Sequence, residues 1–296
     1  MKINQIEMFI QTCQCGSIAE AARKLNKSRT TLSAAISAFE DELGVKLLNR
    51  TGNTVQLTDI GEAIVNDCER ILMVSDDIKN KCQYHLDGVE SALRIARDDA
   101  LPESLWRKLV QELNAKFPGT SISIYVAPPP ELEQMVQQNI IDVAYCLLPD
   151  EHQLSRSNHL SLGQIRMMSV AHREHPLARL RKVISSDLEH YTEIVLAYID
   201  DNGLKAVNPK TNKYIALPFF EHLRDAVLDG TGWSYVPALL INQHLRKGTI
   251  KVLKHSKAMS WQSYGEIAQS ELRRGEVIQW LSEQLEEYLQ NENSQA

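Results

Sequence analysis

Between residues 17 and 50, apolar positions recur at three- and four-residue intervals in two short stretches separated by a polar break. The apolar residues are Ile18, Ala21, Ala22 and Leu25 in the first stretch and Leu32, Ala35, Ile36 and Phe39 in the second. Ser17 and Ser28 precede the stretches, where a hydroxyl accepts from the free amides of a first helical turn. The pattern predicts two amphipathic helices joined at Asn26-Lys27, which fits both a helix-turn-helix and an ordinary helical hairpin.

The residues that follow predict a β-hairpin and then a third helix. Gly44 suits a helix C-cap, and alternating residues flank a turn at 51–53. Thr58 stands where it can cap the next helical stretch. A hairpin directly after the second helix is typical of a winged helix-turn-helix, whose second helix enters the DNA major groove.

The distribution of charge along the chain favours DNA binding when the net charge is counted separately for each part. The 296 residues carry a net charge of −6, which by itself argues against a nucleic-acid partner. Residues 1–57 hold seven Lys and Arg and five Asp and Glu, giving +2, whereas residues 58–87 and 88–296 carry −4 each. No acidic residue occurs from 21 to 39, so the positive charge lies beside the predicted turn. A single weakly basic domain binds DNA feebly, and we therefore expect attachment as a dimer or higher oligomer.

Over residues 9–61 the chain resembles the amino-terminal domain of the LysR-type transcriptional regulators. The shared positions are Phe9, Gly16-Ser17, Ala21-Ala22, Leu25, Ser28, Ser33, Ile36, Phe39 (more often Leu in the family), Glu40, Leu43-Gly44, Leu47, Arg50, Leu57-Thr58 and Gly61. The resemblance implies a cytoplasmic regulator that binds double-stranded promoter DNA as a homodimer or homotetramer, with RNA polymerase as a further candidate partner. The family usually has Gln-Pro where this chain has Arg29-Thr30, so its DNA sequence preference does not carry over.

We expect the DNA-contacting residues to surround the second helix and the hairpin. They are Arg23, Lys27, Ser28, Arg29, Thr30, Thr31, Ser33, Arg50 and Asn53. Arg29 and Ser33 are assigned to the major groove, where an Arg can make a bidentate contact to guanine. Lys27 and Arg50 are assigned to backbone phosphate.

Residues 58–84 predict one long helix with a narrow apolar stripe. The stripe consists of Ile60, Ile64, Cys68, Ile71, Val74 and Ile78, at three- and four-residue steps. Such a stripe is typical of a coiled-coil seam, and LysR-type regulators use this helix for dimerisation. The alternative is a helix that packs on its own domain.

The predicted fold class is α plus α/β, with three parts. A winged helix-turn-helix domain covers 1–58, a linker and dimerisation helix covers 59–87, and an effector-binding domain covers 88–296. Strands alternate with helices after residue 88, which predicts parallel α/β sheets in two halves, 88–161 with 266–296 and 162–265. This part is similar to the family's effector-binding domain, itself like periplasmic solute-binding proteins, and implies a small-molecule effector in the cleft between the halves.

The residues expected around this cleft differ from the family pattern. They are Asp98, Asp99, Ala100, Pro128, Pro129, Pro130, Tyr145, Cys146, Tyr198, Thr231, Gly232 and Trp233. The resemblance implies hydroxyls that hold a ligand carboxylate after the first two strands, but this chain has two acids there and then three prolines without amide protons. We therefore expect a neutral or cationic effector, or none. Alternatively the prolines only stiffen a loop and the aspartates cap the helix that begins at Pro102.

Other classes of function have weaker support. The five cysteines form no pair or cluster with zinc spacing, and we expect no metal or cofactor. Nucleophile-elbow, phosphate-loop and zincin motifs are missing, which argues against an enzyme. No leader and no apolar run of about 18 residues occurs, so no membrane association is expected.

Two alternatives remain open. One is a regulator that responds to oxidation of Cys146, Met167 or Met168. The other is a solute-binding or enzymatic α/β protein whose amino-terminal helices bind protein. DNA affinity that falls steeply with salt would separate the last class from a regulator.

Overall fold

The computed structural model describes residues 1–51, 54–149, 158–269 and 274–294. The chain forms two compact units, Met1–Asp87 and Gly88–Ala296. Among the described residues, no helix combines the length and the apolar character needed to cross a membrane.

The first unit is a helical domain with a two-stranded hairpin. Its elements are α1 (Ile3–Cys15), α2 (Ile18–Lys24), α3 (Arg29–Leu43), β1 (Leu48–Thr51), β2 (Thr54–Leu57) and α4 (Asp59–Asp87). The predicted caps are confirmed: Ser17 Oγ accepts from Glu20 N at 3.2 Å, and Ser28 Oγ accepts from Thr31 N at 3.0 Å. Gly44 ends α3 with a φ of +73°, a conformation that glycine adopts without a Cβ penalty.

A single apolar core holds the first three helices together. It contains Ile6, Phe9, Leu32, Ile36 and Phe39, each almost wholly buried. The rings of Phe9 and Phe39 lie 5.9 Å apart and tilted, an arrangement that adds to their burial energy. The inner faces predicted from the apolar spacing are the ones that are buried.

The second unit is built around an extended sheet covered by helices. Its strands are β3 (Ala92–Arg97), β4 (Ser121–Val126), β5 (Val143–Leu147), β6 (Asn158–His172), β7 (Glu193–Asp200), β8 (Gly203–Ala206), β9 (Tyr214–Leu217), β10 (Trp233–Pro237), β11 (Ile250–Val252) and β12 (Met259–Ala268). Its helices are α5 (Glu103–Lys116), α6 (Pro129–Gln137), α7 (Pro176–Arg179), α8 (Ser185–Glu189), α9 (Phe220–Leu228), α10 (Ala238–Arg246) and α11 (Glu276–Ser294).

The sheet is continuous and mixed, which corrects the expectation of two parallel sheets. The strand order is β4-β3-β5-β12-β6-β10-β7-β8, with β11 beside β6 and β9 beside β7. Strand β3 is parallel to β4 and β5, but the long strands β6 and β12 pair antiparallel along their length and join the two ends of the sheet. Sequence alternation detects strands and helices, whereas it does not show that one long strand crosses both halves.

The β6–β12 pairing shifts its register where the chain was expected to cross between halves. Tyr264 pairs with Gly163, and the next residue, Gly265, pairs with Ser161. A Cβ on Gly265 would lie 2.1 Å from Leu160 O, so only glycine permits this close approach. The irregularity bends the two long strands between the two ends of the sheet.

Candidate DNA-binding surface and effector cavity

The turn between α2 and α3 sets the position of the second helix. Asn26 adopts a φ of +53°, a left-handed conformation that Asn tolerates better than most residues. Lys27 N donates to Ala22 O at 2.9 Å, which closes the turn on the end of α2. The chain therefore enters α3 with Ser28 as its cap and with the first helical turn at the surface.

Three hydroxyls form a cluster at the amino end of α3. Ser28 Oγ lies 2.8 Å from Thr30 Oγ1 and 2.7 Å from Thr31 Oγ1, and all three residues are exposed. The helix end directs unpaired amides and a partial positive charge to the same place. This combination is suited to an anionic partner such as a DNA phosphate.

Exposed cations surround that cluster. Arg23, Lys24, Lys27 and Arg29 are all at the surface, and none of them forms a salt bridge within the described part of the chain. Their charge is therefore available to an external partner. Ser33, also predicted to face the groove, is half-buried.

The wing is held against α3 by a buried carboxylate. Glu40 is 2% exposed, and its Oε1 accepts from Leu47 N at 2.9 Å and from Leu48 N at 3.1 Å. Its Oε2 accepts from Lys46 Nζ at 3.0 Å. Burial alone would raise the pKa of Glu40, but these hydrogen bonds outweigh it and lower the pKa. The carboxylate thus fixes the start of β1 relative to the recognition helix.

The hairpin itself has a regular register. Arg50 pairs with Val55 and Thr51 with Thr54, and Val55 N donates to Gly16 O at 2.9 Å. The predicted contact residue Asn53 and the side chain of Arg50 lie outside the described residues. Their assignment to DNA remains a prediction.

The apolar stripe of α4 divides into two parts, which corrects its assignment as a single seam. Cys68 is 4% exposed and belongs to the core of the first unit, and Ile64 packs against the same core. Ile71, Val74 and Ile78 are exposed by 36%, 56% and 59%. Ile60, at the start of the helix, is 45% exposed. The helix therefore packs on its own unit around Ile64 and Cys68, and its carboxy-terminal half leaves an apolar stripe uncovered.

The second unit contains a cavity of about 470 Å³. One wall comes from the start of α6 and the residues that follow β5, and the opposite wall comes from β7 and the start of α9. Met167 of β6 and Ile267 of β12 also line it. The cavity thus lies between elements from both ends of the mixed sheet, with the long strands contributing to its lining.

Two family models match this chain. The model of the LysR substrate binding domain matches residues 87–290, and that of the bacterial regulatory helix-turn-helix protein, lysR family, matches residues 3–62. The chain belongs to the LysR family of transcriptional regulators.

Individual relatives agree with this assignment. The chain is 30% identical over 252 residues to the multiple virulence factor regulator MvfR of Pseudomonas aeruginosa, covering 85% of this chain and 75% of that protein. It is 23% identical over 260 residues to the transcriptional activator AaeR of Escherichia coli, covering 85% and 82%.

Two solved structures share the fold. A mutant of OxyR from Corynebacterium glutamicum has a TM-score of 0.67 at 19% identity, covering 98% of this chain and 93% of that one. The LysR family transcriptional regulator CbnR has a TM-score of 0.53 at 17% identity, covering 96% and 100%. The predicted fold class, a helix-turn-helix domain with a LysR-type α/β domain, is confirmed.

In this LysR-family chain, the two aspartates after β3 satisfy backbone amides of the protein itself. Asp98 is wholly buried, and its carboxylate accepts from Ala100 N at 3.1 Å and from Leu147 N at 2.8 Å. Burial raises the pKa of Asp98 to about 7. Asp99 accepts from Glu221 N at 2.8 Å at the start of α9. Neither caps the helix after Pro102, and neither is among the residues that line the cavity.

The structure also corrects most of the predicted apolar wall. Tyr145, Cys146 and Trp233 are wholly buried in the core and are not part of the cavity lining. They lie on strands whose buried residues pack against the helices that cover the sheet. An aromatic residue near a strand end therefore belongs to the core in this fold. Pro129 and Pro130 do line the cavity.

The remaining predicted cleft residues lie elsewhere in the second unit. Thr231 is exposed, and Tyr198 is half-buried on β7. A Cβ on Gly232 would lie 2.2 Å from Thr192 O, so this glycine serves the close packing of β10. Ala100 and Pro128 are buried beside the cavity-forming elements without lining it.

The burial of Cys146 disfavours the oxidation alternative. Burial first, and then the nearby carboxylates of Asp98 and Glu133, raise the pKa of the Cys146 thiol well above its ordinary value. The thiolate is the reactive form, so a buried thiol with a raised pKa is a poor oxidation sensor. Met167 and Met168 are also buried.

Sequence patterns missed several residues that shape the cavity. Glu193, Lys210, Phe220 and Tyr235 all line it, and none was a candidate. One signal was available: Glu193 is an acid directly before the apolar run 194–197. No cluster of three or more His, Cys, Asp or Glu suited to a metal ion occurs among the described residues.

Proposed function

We propose that this LysR-family regulator binds promoter DNA in the cytoplasm as a homodimer or homotetramer, through the amino-terminal turn of α3, and that a small molecule in the cavity modulates this binding. The observation that carries the proposal is the exposed, unpaired group of cations around the hydroxyl cluster at Ser28. A wing fixed to the same helix by Glu40 supports it.

The experiment compares two cations of that group on selected DNA. Arg29→Ala should relax the preference at one base of each half-site, at a cost of about 1–3 kcal/mol, because a bidentate contact to a base is lost. Lys27→Ala should weaken binding to all sequences alike and reduce the salt slope by about one unit. Fluorescence anisotropy with a set of single-base operator variants measures both. Equal weakening of every sequence by Arg29→Ala would overturn its assignment to base recognition.

Oligomerisation is assigned to the carboxy-terminal half of α4. Ile71→Lys would place an unpaired charge in the apolar stripe formed with Val74 and Ile78, where desolvation is costly. We expect monomers in sedimentation velocity and a loss of DNA affinity, although α3 is unchanged. Met73→Lys is the control, because Met73 is 67% exposed on a different side of the helix. An Ile71→Lys protein that sediments like the control would contradict this assignment.

A further inference from the structure

The walls of the cavity combine apolar and polar surface in similar amounts. Leu147, Leu148, Ile194, Val195 and Leu196 are apolar residues that line it from the two sides. A volume of about 470 Å³ falls within the range of small-molecule sites, which is roughly 300–1,000 Å³. The cavity is therefore suited to a ligand that has both an apolar body and polar groups.

The two helix ends beside the cavity offer few donors for a ligand carboxylate. Helix α9 begins at Phe220, which lines the cavity, but its amino end is already occupied by the Asp99 carboxylate, bonded to Glu221 N at 2.8 Å. Helix α6 begins with Pro129 and Pro130, which have no amide proton. An anion in this cavity would lack the backbone amides that helix ends usually supply.

The charged residues that line the cavity also disfavour an anionic ligand. Among the described lining residues, Glu133 and Glu193 are the acids and Lys210 is the cation. Lys210 Nζ lies 4.5 Å from the centroid of the Tyr235 ring in a cation–π contact, so the acids outnumber the cation in this lining. Glu193 is 3% exposed, and its Oε2 accepts from Lys210 N at 2.6 Å and from Thr211 N at 3.0 Å.

Glu193 also offers a means of polar recognition. A carboxylate has about four lone-pair sites, and the two backbone amides use two of them. A hydroxyl or N–H group of a ligand can be accepted by the same carboxylate. A ligand carboxylate at this place would face an acid instead of a donor.

We propose that the cavity binds a neutral or cationic molecule that joins an apolar body to a hydrogen-bond donor, received by Glu193, and that it excludes small carboxylates. The inference rests on the proposed function in taking this cavity as the effector site. It adds the chemical class of the ligand and the residue that recognises it.

The test is a titration of the full-length protein with probes that share one apolar body. Para-hexylphenol carries an uncharged donor, para-hexylanisole lacks the donor, para-hexylbenzoate is an anion and para-hexylbenzylamine is a cation. Isothermal titration should show the phenol and the benzylamine each binding at least about tenfold more tightly than the anisole and the benzoate, and succinate not binding. Benzoate or anisole binding as tightly as the phenol would overturn the proposed ligand class.

Two variants place the binding in this cavity. Val207→Trp fills space from a half-buried lining position and should weaken phenol binding about tenfold or more, whereas Leu204→Trp, at a residue 75% exposed and outside the lining, should not. Glu193→Gln keeps an acceptor oxygen and removes the charge, so it should reduce the preference for phenol over benzoate. If Glu193→Gln kept the wild-type preference for the phenol over the benzoate, the role of Glu193 would be overturned, whether or not Val207→Trp folds.

Anisotropy with selected operator DNA separates this proposal from the proposed function. Phenol binding in the expected order, without an effect on DNA affinity, would leave the ligand class standing and refute the effector role. A carboxylate that binds and shifts DNA affinity would leave the effector role standing and refute the ligand class. The absence of binding by every probe would overturn the ligand class, while wild-type DNA binding would still test the regulator itself.

Discussion

Replacing Glu40 tests whether the recognition helix and the wing act as one rigid element. Glu40→Gln preserves size and one acceptor oxygen, so the amides of Leu47 and Leu48 still find an oxygen on the side chain. In the wild type, Lys46 Nζ donates to Glu40 Oε2 at 3.0 Å. In the variant an NH₂ group takes the place of this oxygen, so two donors face each other. One charge-assisted hydrogen bond is lost and two others become neutral.

The magnitude follows from the type of bond. Hydrogen bonds to charged groups contribute about 1.5–3 kcal/mol and neutral ones about 0.5–1.5 kcal/mol, so each of the two amide bonds should lose about 1 kcal/mol. The pair with Lys46 adds little because that side chain is 66% exposed, and the start of β1 should therefore lose about 2 kcal/mol of local stability. That energy corresponds to an opening equilibrium about 30-fold larger. The pKa of Glu40 is lowered in the fold, so its stabilisation exists above its ordinary pKa of 4.5 and is lost as the pH falls through the lowered value. The difference between variant and wild type should therefore shrink in acid.

Hydrogen exchange of the amides at residues 45–49 measures this opening directly. Asp41→Asn is the matched control, because it removes the same charge from the neighbouring residue, which is 76% exposed on its side chain. We expect faster exchange and weaker DNA binding in Glu40→Gln only. Equal exchange in the two variants at neutral pH would refute the reasoning.

Two further predictions concern packing and pH. Gly61→Ala should lower the unfolding temperature and destabilise the first unit by about 1–3 kcal/mol, because the added Cβ would lie 2.3 Å from Leu47 O. An unchanged melting curve would contradict this close approach. Burial raises the pKa of Asp98 to about 7 from an ordinary value of 3.8, so the folded protein holds this proton more tightly and loses stability as the pH rises between these values. Urea unfolding should show the stability of Asp98→Asn relative to wild type rising by about 3 kcal/mol between pH 4 and pH 7, and parallel pH profiles would contradict it.

Local features of the fold were predictable from the sequence, because they depend on neighbours along the chain. The caps at Ser17 and Ser28 and the inner faces of α2 and α3 follow from spacing and from hydrogen bonds to residues three positions away. The mixed sheet was not predictable in this way, because the β6–β12 pairing joins residues about a hundred positions apart.

The candidate sites also combine features that the sequence predicts with features that appear only in the fold. The cations beside α3 are visible in the sequence because the turn fixes their position. The hydrogen bond from Glu221 N to Asp99 spans 122 residues, so the occupied end of α9 appears only in the fold. Glu40 is followed by two further acids, but it lies four residues after Ile36 on the apolar face of α3, which is a signal of its burial.

Selection of DNA by the intact protein tests the central claim most directly. Genomic fragments are incubated with wild type and with Arg29→Ala at two salt concentrations, and the retained fragments are sequenced. We expect that wild type enriches a motif with two half-sites, that retention falls steeply with salt, and that Arg29→Ala loses the preference at one position of each half-site. Retention without an enriched motif, or retention that is insensitive to salt, would contradict DNA recognition through α3.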